Sequence, residues 1–139
     1  MWNEAMDFYR VIYTSRPFGY DQAMLNGILV NARHSNARDD VTGALICRRD
    51  VFIQLLEGPE ESVKKTVARI MRDDRHTEME VHVQSRIAAR QFGAWSMLHD
   101  PAVTWIWSAE EVADGAIERT TPEELEGFFE KLLERQEAV

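Results

Sequence analysis

Cysteine is almost absent from this 139-residue sequence, and that absence excludes two kinds of architecture. The single Cys47 cannot form a disulfide within the chain, and it leaves no cysteine cluster for zinc or an iron–sulfur centre. Cys47 lies in an apolar stretch, where we expect a buried small side chain rather than a reactive thiol. We also predict no metal site, because neither an HExxH pattern nor paired spacing is found among the four histidines, His34, His76, His82 and His99.

Long apolar runs are missing as well. No run approaches the roughly 20 apolar residues that a membrane helix needs. Residues 1–10 mix acidic with aromatic side chains and lack the basic start and apolar stretch of a secretory signal. With 45% hydrophobic and 29% charged residues, the composition is typical of an ordinary globular protein. We therefore expect a cytoplasmic protein that does not enter a membrane.

Basic side chains are scarce toward the C-terminus. The formal net charge is −8, and residues 101–139 contain ten acidic but only three basic side chains. Such a balance repels phosphate backbones, which argues against nucleic-acid binding by this segment. A solvated helix face explains the charge most simply, and a surface for a basic partner is the alternative.

The apolar residues that are present follow two different periods. Five segments have the β-branched, aromatic or alternating composition of strands: residues 8–15, 41–47, 51–57, 79–87 and a short fifth one at 95–99. Two segments place apolar residues three and four apart, as amphipathic helices do: residues 21–36, with Asp21 as N-cap, and residues 59–73. The order β α β β α β with an extra strand predicts an α+β fold. We expect a ferredoxin-like sandwich in which two helices cover one face of a five-stranded mixed sheet.

The C-terminal residues predict further helices. A short helix is expected near residues 109–114, and a stronger one opens at Thr121 and Pro122 and runs to about residue 136. The stronger helix carries an apolar stripe formed by Leu125, Phe128, Phe129, Leu132 and Leu133. We expect these helices to cover the sheet face that the first two helices leave bare. A second subunit is the alternative cover, so a homo-oligomer stays open.

Two polar side chains stand out among the apolar strand positions. Gln54 shares a strand face with Phe52 and Leu56 by period-two alternation, and Tyr13 lies near the end of an inner strand. A buried amide without a partner costs on the order of 1 to 3 kcal/mol, so something polar should meet Gln54. On pattern alone, neighbouring backbone groups are its simplest partners.

Five pieces of the sequence together resemble one known family. They are RVIYTSR around Tyr13, HSNARDDVTGALI around Asn36, VFIQLLEGP around Gln54, RIMRDDRH around Asp73, and FGAWSM around Trp95 and Met97. In this order and at this spacing the pieces resemble the BLUF family, bacterial and algal sensors of blue light that use a flavin. The chain is also similar to the short BLUF proteins, in which only a helical tail follows the sensor. The resemblance implies a flavin-binding domain at residues 7–100 and a helical extension at residues 101–139.

The resemblance implies a flavin, usually FAD, with its ring between the two helices and the sheet; FMN or riboflavin could also be accepted. Gln54 would be the amide near flavin N5 and C4=O, bonded also to Tyr13, and Asn36 would meet the pyrimidine edge of the ring. In the family Trp95 and Met97 exchange places near Gln54, and two residues apart on a strand they would project to one side. The other implied contacts are Ile28 and Ile70 on the ring faces, Arg69 and Asp73 at the ribityl chain or phosphate, and Arg75 and His76 as their neighbours.

Two of these assignments have a structural alternative, and one position departs from the family. Asn36 sits where the first helix is expected to end, so it could serve as a helix cap. Arg69 and Asp73 are four residues apart on the second helix, which is the spacing of an exposed ion pair. Ser35 stands where many members have a second amide or a histidine, and its shorter side chain argues against a direct ring contact.

The implied function is a blue-light photoreceptor and not an enzyme. Tyr13 would give an electron and a proton to the excited flavin, and after recombination Gln54 would remain rotated or tautomerised, with a red-shifted absorption. Since no output domain lies within the 139 residues, the signal would pass to a separate protein partner, or the chain has lost its output. One rival is a flavin-dependent redox enzyme, although a dinucleotide glycine fingerprint is missing. The other rival is a flavin-free regulatory interaction module on the same fold.

Overall fold

A five-stranded mixed sheet forms the centre of the protein. The structure is a computed structural model and describes residues 7–19, 21–100 and 105–137. The strands are β1 (Phe8–Pro17), β2 (Thr42–Arg48), β3 (Val51–Gly58), β4 (His76–Ile87) and β5 (Leu98–Asp100). They lie in the order β4-β1-β3-β2-β5. Strand β3 is antiparallel to β1 and β2, β4 is antiparallel to β1, and β5 is parallel to β2. This is the split β-α-β arrangement of a ferredoxin-like sheet, so the predicted α+β fold is confirmed.

Strand β3 is the central strand, and each of its eight residues is buried. Arg48 of β2 pairs with Val51 of β3, so the hairpin between the two strands turns within two residues. A strand that is paired on both sides and covered on both faces is apolar, except where a polar side chain has partners. In β3 those polar side chains are Gln54 and Glu57.

Helices α1 (Gln22–Asp39) and α2 (Glu60–Met71) cover one face of the sheet. The Asp21 side chain accepts a hydrogen bond from the Met24 N–H at 2.7 Å, so the predicted N-cap is confirmed. Leu25 and Leu29 of α1 and Val63 of α2 pack on the sheet residues Val11, Leu45, Cys47, Phe52 and Leu56. Cys47 is therefore buried, as predicted.

Helices α3 (Ala109–Ala113), α4 (Ala116–Arg119) and α5 (Pro122–Glu137) cover the opposite face. In α5 the stripe residues Leu125, Phe129 and Leu132 are fully buried, and Phe128 and Leu133 are partly buried beside them. They pack against the sheet residues Ile12, Ala44, Ile46, Ile53 and Leu55. Burying one large apolar side chain contributes roughly 1.5 to 3 kcal/mol, so the stripe holds α5 on the sheet. Of the two covers predicted for the stripe, the sheet face is the one found. None of the helices in the described ranges is both long and apolar enough to cross a membrane.

Both sheet-covering helices end elsewhere than the sequence predicts. Helix α1 continues to Asp39, three residues past Asn36, and stops where Asp40 adopts a left-handed conformation with φ of 59°. Helix α2 ends at Met71, before the predicted limit of residue 73. The polar residues at these ends carry no apolar period, so periodicity does not locate the boundary there.

Two strands also begin elsewhere than expected. Strand β4 begins at His76, three residues before the predicted start. Strand β5 begins at Leu98, so Trp95 and Met97 precede it and lie in the loop that follows β4. Helix α4 was not predicted at all, because four residues are too few for a helical period to be read.

Candidate functional site

A cavity of about 460 Å³ lies between α1, α2 and the sheet. Pockets for small ligands in proteins are typically about 300 to 1,000 Å³. The side chains predicted to contact a ligand all line this cavity: Tyr13, Ile28, Asn36, Gln54, Arg69, Ile70, Asp73, Arg75 and His76. The fold therefore brings residues from β1, β3, both helices and the α2–β4 connection to one place.

Tyr13 and Gln54 form the polar part of the sheet wall. They are direct cross-strand partners in the antiparallel β1–β3 pair, which puts their side chains on the same face. The Tyr13 hydroxyl donates a hydrogen bond to Gln54 Oε1, and Gln54 Nε2 donates to Met97 Sδ at 3.4 Å. A thioether is a weak acceptor, so the amide N–H keeps most of its capacity for a stronger one. The Gln54 amide thus has a hydrogen bond from the Tyr13 hydroxyl at its oxygen, and only a weak hydrogen bond to Met97 at its nitrogen.

Burial keeps Tyr13 neutral. Desolvation raises the pKa of its phenol well above the ordinary tyrosine value, and the negative charge of Asp73 raises it further. Only 3% of the Tyr13 side chain and 5% of Gln54 are exposed. The phenol therefore stays a hydrogen-bond donor throughout the physiological pH range.

Asn36 presents a buried acceptor that lacks a partner. Its Nδ2 donates to the Ser96 carbonyl at 2.9 Å, while Oδ1 has no hydrogen-bond partner among the described residues. The alternative that Asn36 caps α1 is wrong, because the helix continues for three more residues and Asp40 occupies the cap. An unpaired buried acceptor costs roughly 1 to 3 kcal/mol, and an N–H group of a ligand in the cavity would satisfy it.

His76 offers a second buried acceptor. Its Nε2 lies 2.8 Å from the Ile70 carbonyl, which only accepts, so Nε2 carries the proton in this contact. When the ring carries that one proton, Nδ1 is an acceptor, and it is buried with no hydrogen-bond partner in the described part of the chain. The ring centroid is 6.2 Å from that of Tyr13. A ligand hydroxyl or N–H in the cavity would therefore find an acceptor at His76 too.

The charged side chains of the cavity pair differently from the prediction. Asp73 lies beyond the end of α2 and binds Arg75, with Arg75 Nη2 2.6 Å from Asp73 Oδ2. The hydrogen bonds from Arg75 keep the pKa of the Asp73 carboxyl below its usual range. Arg69 instead has Asp39 as its ion-pair partner, at 3.8 Å. The helical ion pair between Arg69 and Asp73 is therefore wrong, and Arg69, 40% exposed and loosely paired, stays available to an anion.

Trp95 and Met97 do not share a side. Met97 is buried on the helix-covered face against Gln54, whereas Trp95 packs on the opposite face, with its ring centroid 6.0 Å from that of Phe92. The prediction that both project to one side is wrong because neither residue lies on a strand, so strand alternation does not apply. Within the described residues Met97 is the one that contacts the amide.

Several cavity residues were not predicted from the sequence. On α1 the wall continues through Asn31, Ala32, His34 and Ser35, and α2 and the sheet add Leu45, Phe52, Thr66 and Arg72. The signal was present in part, because Ile28, Ala32 and Asn36 are four residues apart and define one face of α1. Ser35 also lines the cavity despite its short side chain. Arg72 is three residues from Arg69, which places two guanidinium groups at the same end of α2.

Comparison with known proteins identifies the family. The family described as "BLUF: Sensors of blue-light using FAD" matches residues 8–98. This chain belongs to the BLUF family. The domain is accordingly a flavin-binding sensor of blue light, and Tyr13 and Gln54 form its hydrogen-bonded tyrosine–glutamine pair.

Relatives of the chain contain the same domain in longer proteins. The blue light- and temperature-regulated antirepressor BluF of Escherichia coli (strain K12) is 41% identical over 66 residues, which are 48% of this chain and 16% of BluF. The photoactivated adenylate cyclase subunit beta of Euglena gracilis is 38% identical over 55 residues, 40% of this chain and 6% of the relative. The chain thus spans less than a fifth of the length of these curated relatives.

The fold is also that of a solved BLUF structure. BlrB, described as a BLUF protein in its dark state, matches with a TM-score of 0.78 and 24% identity, over 94% of this chain and 98% of that chain. At this identity the likeness shows the fold.

The residues of the cavity fit a flavin. The pyrimidine edge of its ring alternates carbonyl acceptors with an N–H donor. Asn36 Oδ1, which has no hydrogen-bond partner among the described residues, could accept from such a donor, and Gln54 Nε2, which donates only to a thioether, could donate to such a carbonyl. His76 Nδ1 can accept from a ribityl hydroxyl, and the guanidinium groups of Arg69 and Arg72 suit a phosphate.

Proposed function

We propose that this protein is a blue-light photoreceptor that binds FAD non-covalently in the cavity between α1, α2 and the sheet. The hydrogen-bonded chain from Tyr13 through Gln54 to Met97 carries the proposal. An amide has a donor on one side and an acceptor on the other, so turning it reverses both of its hydrogen bonds. In this proposal residues 7–100 form the flavin-binding domain, and residues 101–139 form a helical extension.

The chemistry of the protein itself is confined to Tyr13 and Gln54. A bound flavin would supply the absorption of blue light and an electron acceptor. Tyr13 gives up an electron together with its hydroxyl proton, which Gln54 Oε1 is placed to receive. When both return, the phenol is restored and the net chemistry is nil. Gln54 remains rotated or tautomerised, and the weak acceptor Met97 loses little when the amide N–H leaves it.

Three arginines support FAD as the natural ligand. Arg69, Arg72 and Arg75 line the same cavity, and Arg75 is held in place by Asp73. Guanidinium groups bind phosphate through paired hydrogen bonds, and riboflavin has no phosphate for them to bind. FMN would then bind through its ring and one phosphate, and riboflavin through its ring without any phosphate contact.

We infer a sensor rather than an enzyme. A redox enzyme needs room for a substrate beside the reactive ring, and the burial of Tyr13 and Gln54 supports a closed site instead. The signal passes to a separate protein partner, with a second copy of the chain as the alternative. The cytoplasmic location predicted from the sequence stays a prediction.

Absorption spectra test this function directly. The purified protein is measured in the dark, during blue illumination and after return to darkness, and we expect a reversible red shift without any added substrate. Tyr13→Phe and Gln54→Leu should retain the flavin and lose the shift, while Tyr9→Phe, which removes an exposed hydroxyl of the same strand, should shift normally. A colourless protein would favour the flavin-free module, and bleaching that depends on an added substrate would favour the redox enzyme.

A further inference from the structure

A fully buried carboxylate lies three residues after Gln54 on the same strand. Glu57 has no exposed surface and points to the face opposite Gln54, because three positions along a strand reverse the side. Its cross-strand neighbour Arg10 donates through Nη2 at 3.0 Å and Nε at 3.3 Å. A buried charge is tolerated only when it is paired and hydrogen-bonded, so the other partners of Glu57 matter.

Those other partners are backbone groups of the loop between β4 and β5, residues 88–97. The Phe92 N–H donates to Glu57 Oε1 at 2.8 Å, and the Gln91 N–H donates to both carboxylate oxygens, at 2.9 and 3.0 Å. Hydrogen bonds to an ionised acceptor are roughly twice as strong as neutral ones. Glu57 therefore fixes this loop to the central strand at residues 91 and 92.

The same loop carries Met97 to Gln54. The Phe92 carbonyl accepts from the Trp95 N–H at 3.1 Å, and the Trp95 carbonyl accepts from the Gly43 N–H at 3.1 Å. Two residues later Met97 Sδ receives the N–H of Gln54. Strand β3 thus holds the loop at two points, through Glu57 on one face and through Gln54 on the other.

We propose that Glu57 is a positioning residue for the light switch: its carboxylate anchors residues 91 and 92 and thereby holds Met97 against Gln54. This proposal rests on the proposed photoreceptor function. With the loop anchored, Met97 Sδ stays where it accepts from the Gln54 amide before illumination, which favours the return of the amide to that arrangement. With the anchor removed, Met97 moves away more easily and the return becomes slower.

Hydrogen exchange in the dark tests the anchor itself and needs no light. In the protein as purified, the amides of Gln91 and Phe92 should be protected. Glu57→Gln should speed their exchange at least about tenfold, because glutamine loses the negative charge and leaves one acceptor oxygen where the carboxylate offers two to these amides and to Arg10. Amides that exchange at unprotected rates in the unchanged protein would overturn the proposal. The exchange rates of the unchanged protein test the anchor even if the Glu57→Gln variant fails to fold.

The dark recovery of the red-shifted state tests the link to the switch. Glu57→Gln should retain flavin and recover at least about fivefold more slowly, which corresponds to about 1 kcal/mol in the barrier. In a Met97→Leu background the same change should have no further effect, whereas a merely structural role would leave recovery unchanged and lower stability equally in both backgrounds. The control Glu126→Gln removes only the outer partner of Arg10, at 3.8 Å, and should recover within about twofold of the unchanged protein.

The outcomes separate the two proposals. A protein that never shows a red shift overturns the photoreceptor function, and the role of Glu57 in the switch falls with it. A protein that shifts normally, with Glu57→Gln recovering at the unchanged rate, overturns only the role of Glu57.

Discussion

At the scale of single residues, burial decides what Tyr13 can do. Its phenol is enclosed by the sheet and the helices, and its hydroxyl donates to Gln54. Desolvation, with the charge of Asp73, raises its pKa, so proton loss from the native protein is disfavoured unless an electron leaves as well. The same burial that keeps the phenol protonated for light-driven chemistry should destabilise the native protein at alkaline pH.

The raised pKa of Tyr13 predicts how the free energy of unfolding depends on pH. Above about pH 10 the tyrosine of the unfolded chain loses its proton, while the native phenol keeps it. Unfolding then releases a proton, so the free energy of unfolding falls by up to about 1.4 kcal/mol per pH unit because of this group. Urea unfolding at pH 9 and pH 11 should show a smaller alkaline loss for Tyr13→Phe than for the unchanged protein. An equal loss in both would contradict the assigned burial, and Tyr9→Phe serves as the control.

Asn36 gives a second prediction at this scale. Replacing it with alanine removes a buried acceptor that has no partner among the described residues, and flavin affinity should fall about 5- to 150-fold, equivalent to roughly 1 to 3 kcal/mol. Flavin fluorescence titration measures the dissociation constant. Asn26→Ala, an exposed change on the same helix, is the control. Affinity within twofold of the unchanged protein would show that Asn36 serves only its contact with Ser96.

At the scale of elements, the C-terminal end of α2 forms the cationic rim of the cavity. The helix stops at Met71, so Asp73 leaves the helical spacing and binds Arg75, and Arg69 is left with a loose ion pair. Asp73 and Arg75 therefore form a structural ion pair, whereas the Arg69 guanidinium, four residues before Asp73, can bind an anion.

The ligand dependence of Arg69→Ala tests this division. If Arg69 binds phosphate, the variant should lose about 5- to 150-fold in affinity for FAD and FMN and keep its affinity for riboflavin. Titrations of the three flavins with one protein preparation give the comparison. Lys65→Ala, one turn earlier on an exposed position, should change none of them. An equal loss for all three ligands would assign Arg69 to the structure of the helix end.

At the scale of the whole molecule, the sheet has two different faces. Helices α1 and α2 cover the cavity face, and helices α3, α4 and α5 cover the tail face. Helix α5 buries Leu125, Phe129 and Leu132 on the tail face, and Phe129 meets Phe92 edge-on, with ring centroids 6.0 Å apart. Phe92 is the residue whose amide Glu57 holds. A change at Gln54 therefore has a short packed connection to the tail.

If the signal follows this connection, light should change the fraction of molecules in which α5 is docked on the sheet. Hydrogen exchange of residues 121–137 in the dark and under steady blue light measures the effect. A change from 10% to 50% undocked needs only about 1.3 kcal/mol, which one or two rearranged hydrogen bonds supply. Helix α5 carries six of the ten acidic side chains of residues 101–139, and its acidic outer face would become more accessible to a partner. Identical protection in both states, in a protein whose spectrum responds, would show that the signal leaves elsewhere.

Much of the fold was determined by the sequence alone. The order of the strands and of the helices other than α4, the Asp21 cap, the burial of Cys47 and the apolar stripe of α5 all follow from local period and chemistry, which each segment carries by itself. The pattern alone predicted only that Gln54 needs a polar partner and favoured backbone groups for it, and the pair with Tyr13 was implied by the family resemblance.

Only the tertiary structure decided which side chains meet across elements. The side of Trp95, the buried position of Asn36 within α1 and the pairing of Asp73 with Arg75 depend on where helices and strands end, and a polar boundary carries no period. Glu57 is the clearest case. Its partners are the amides of a loop more than thirty residues away along the chain, and packing alone brings them together.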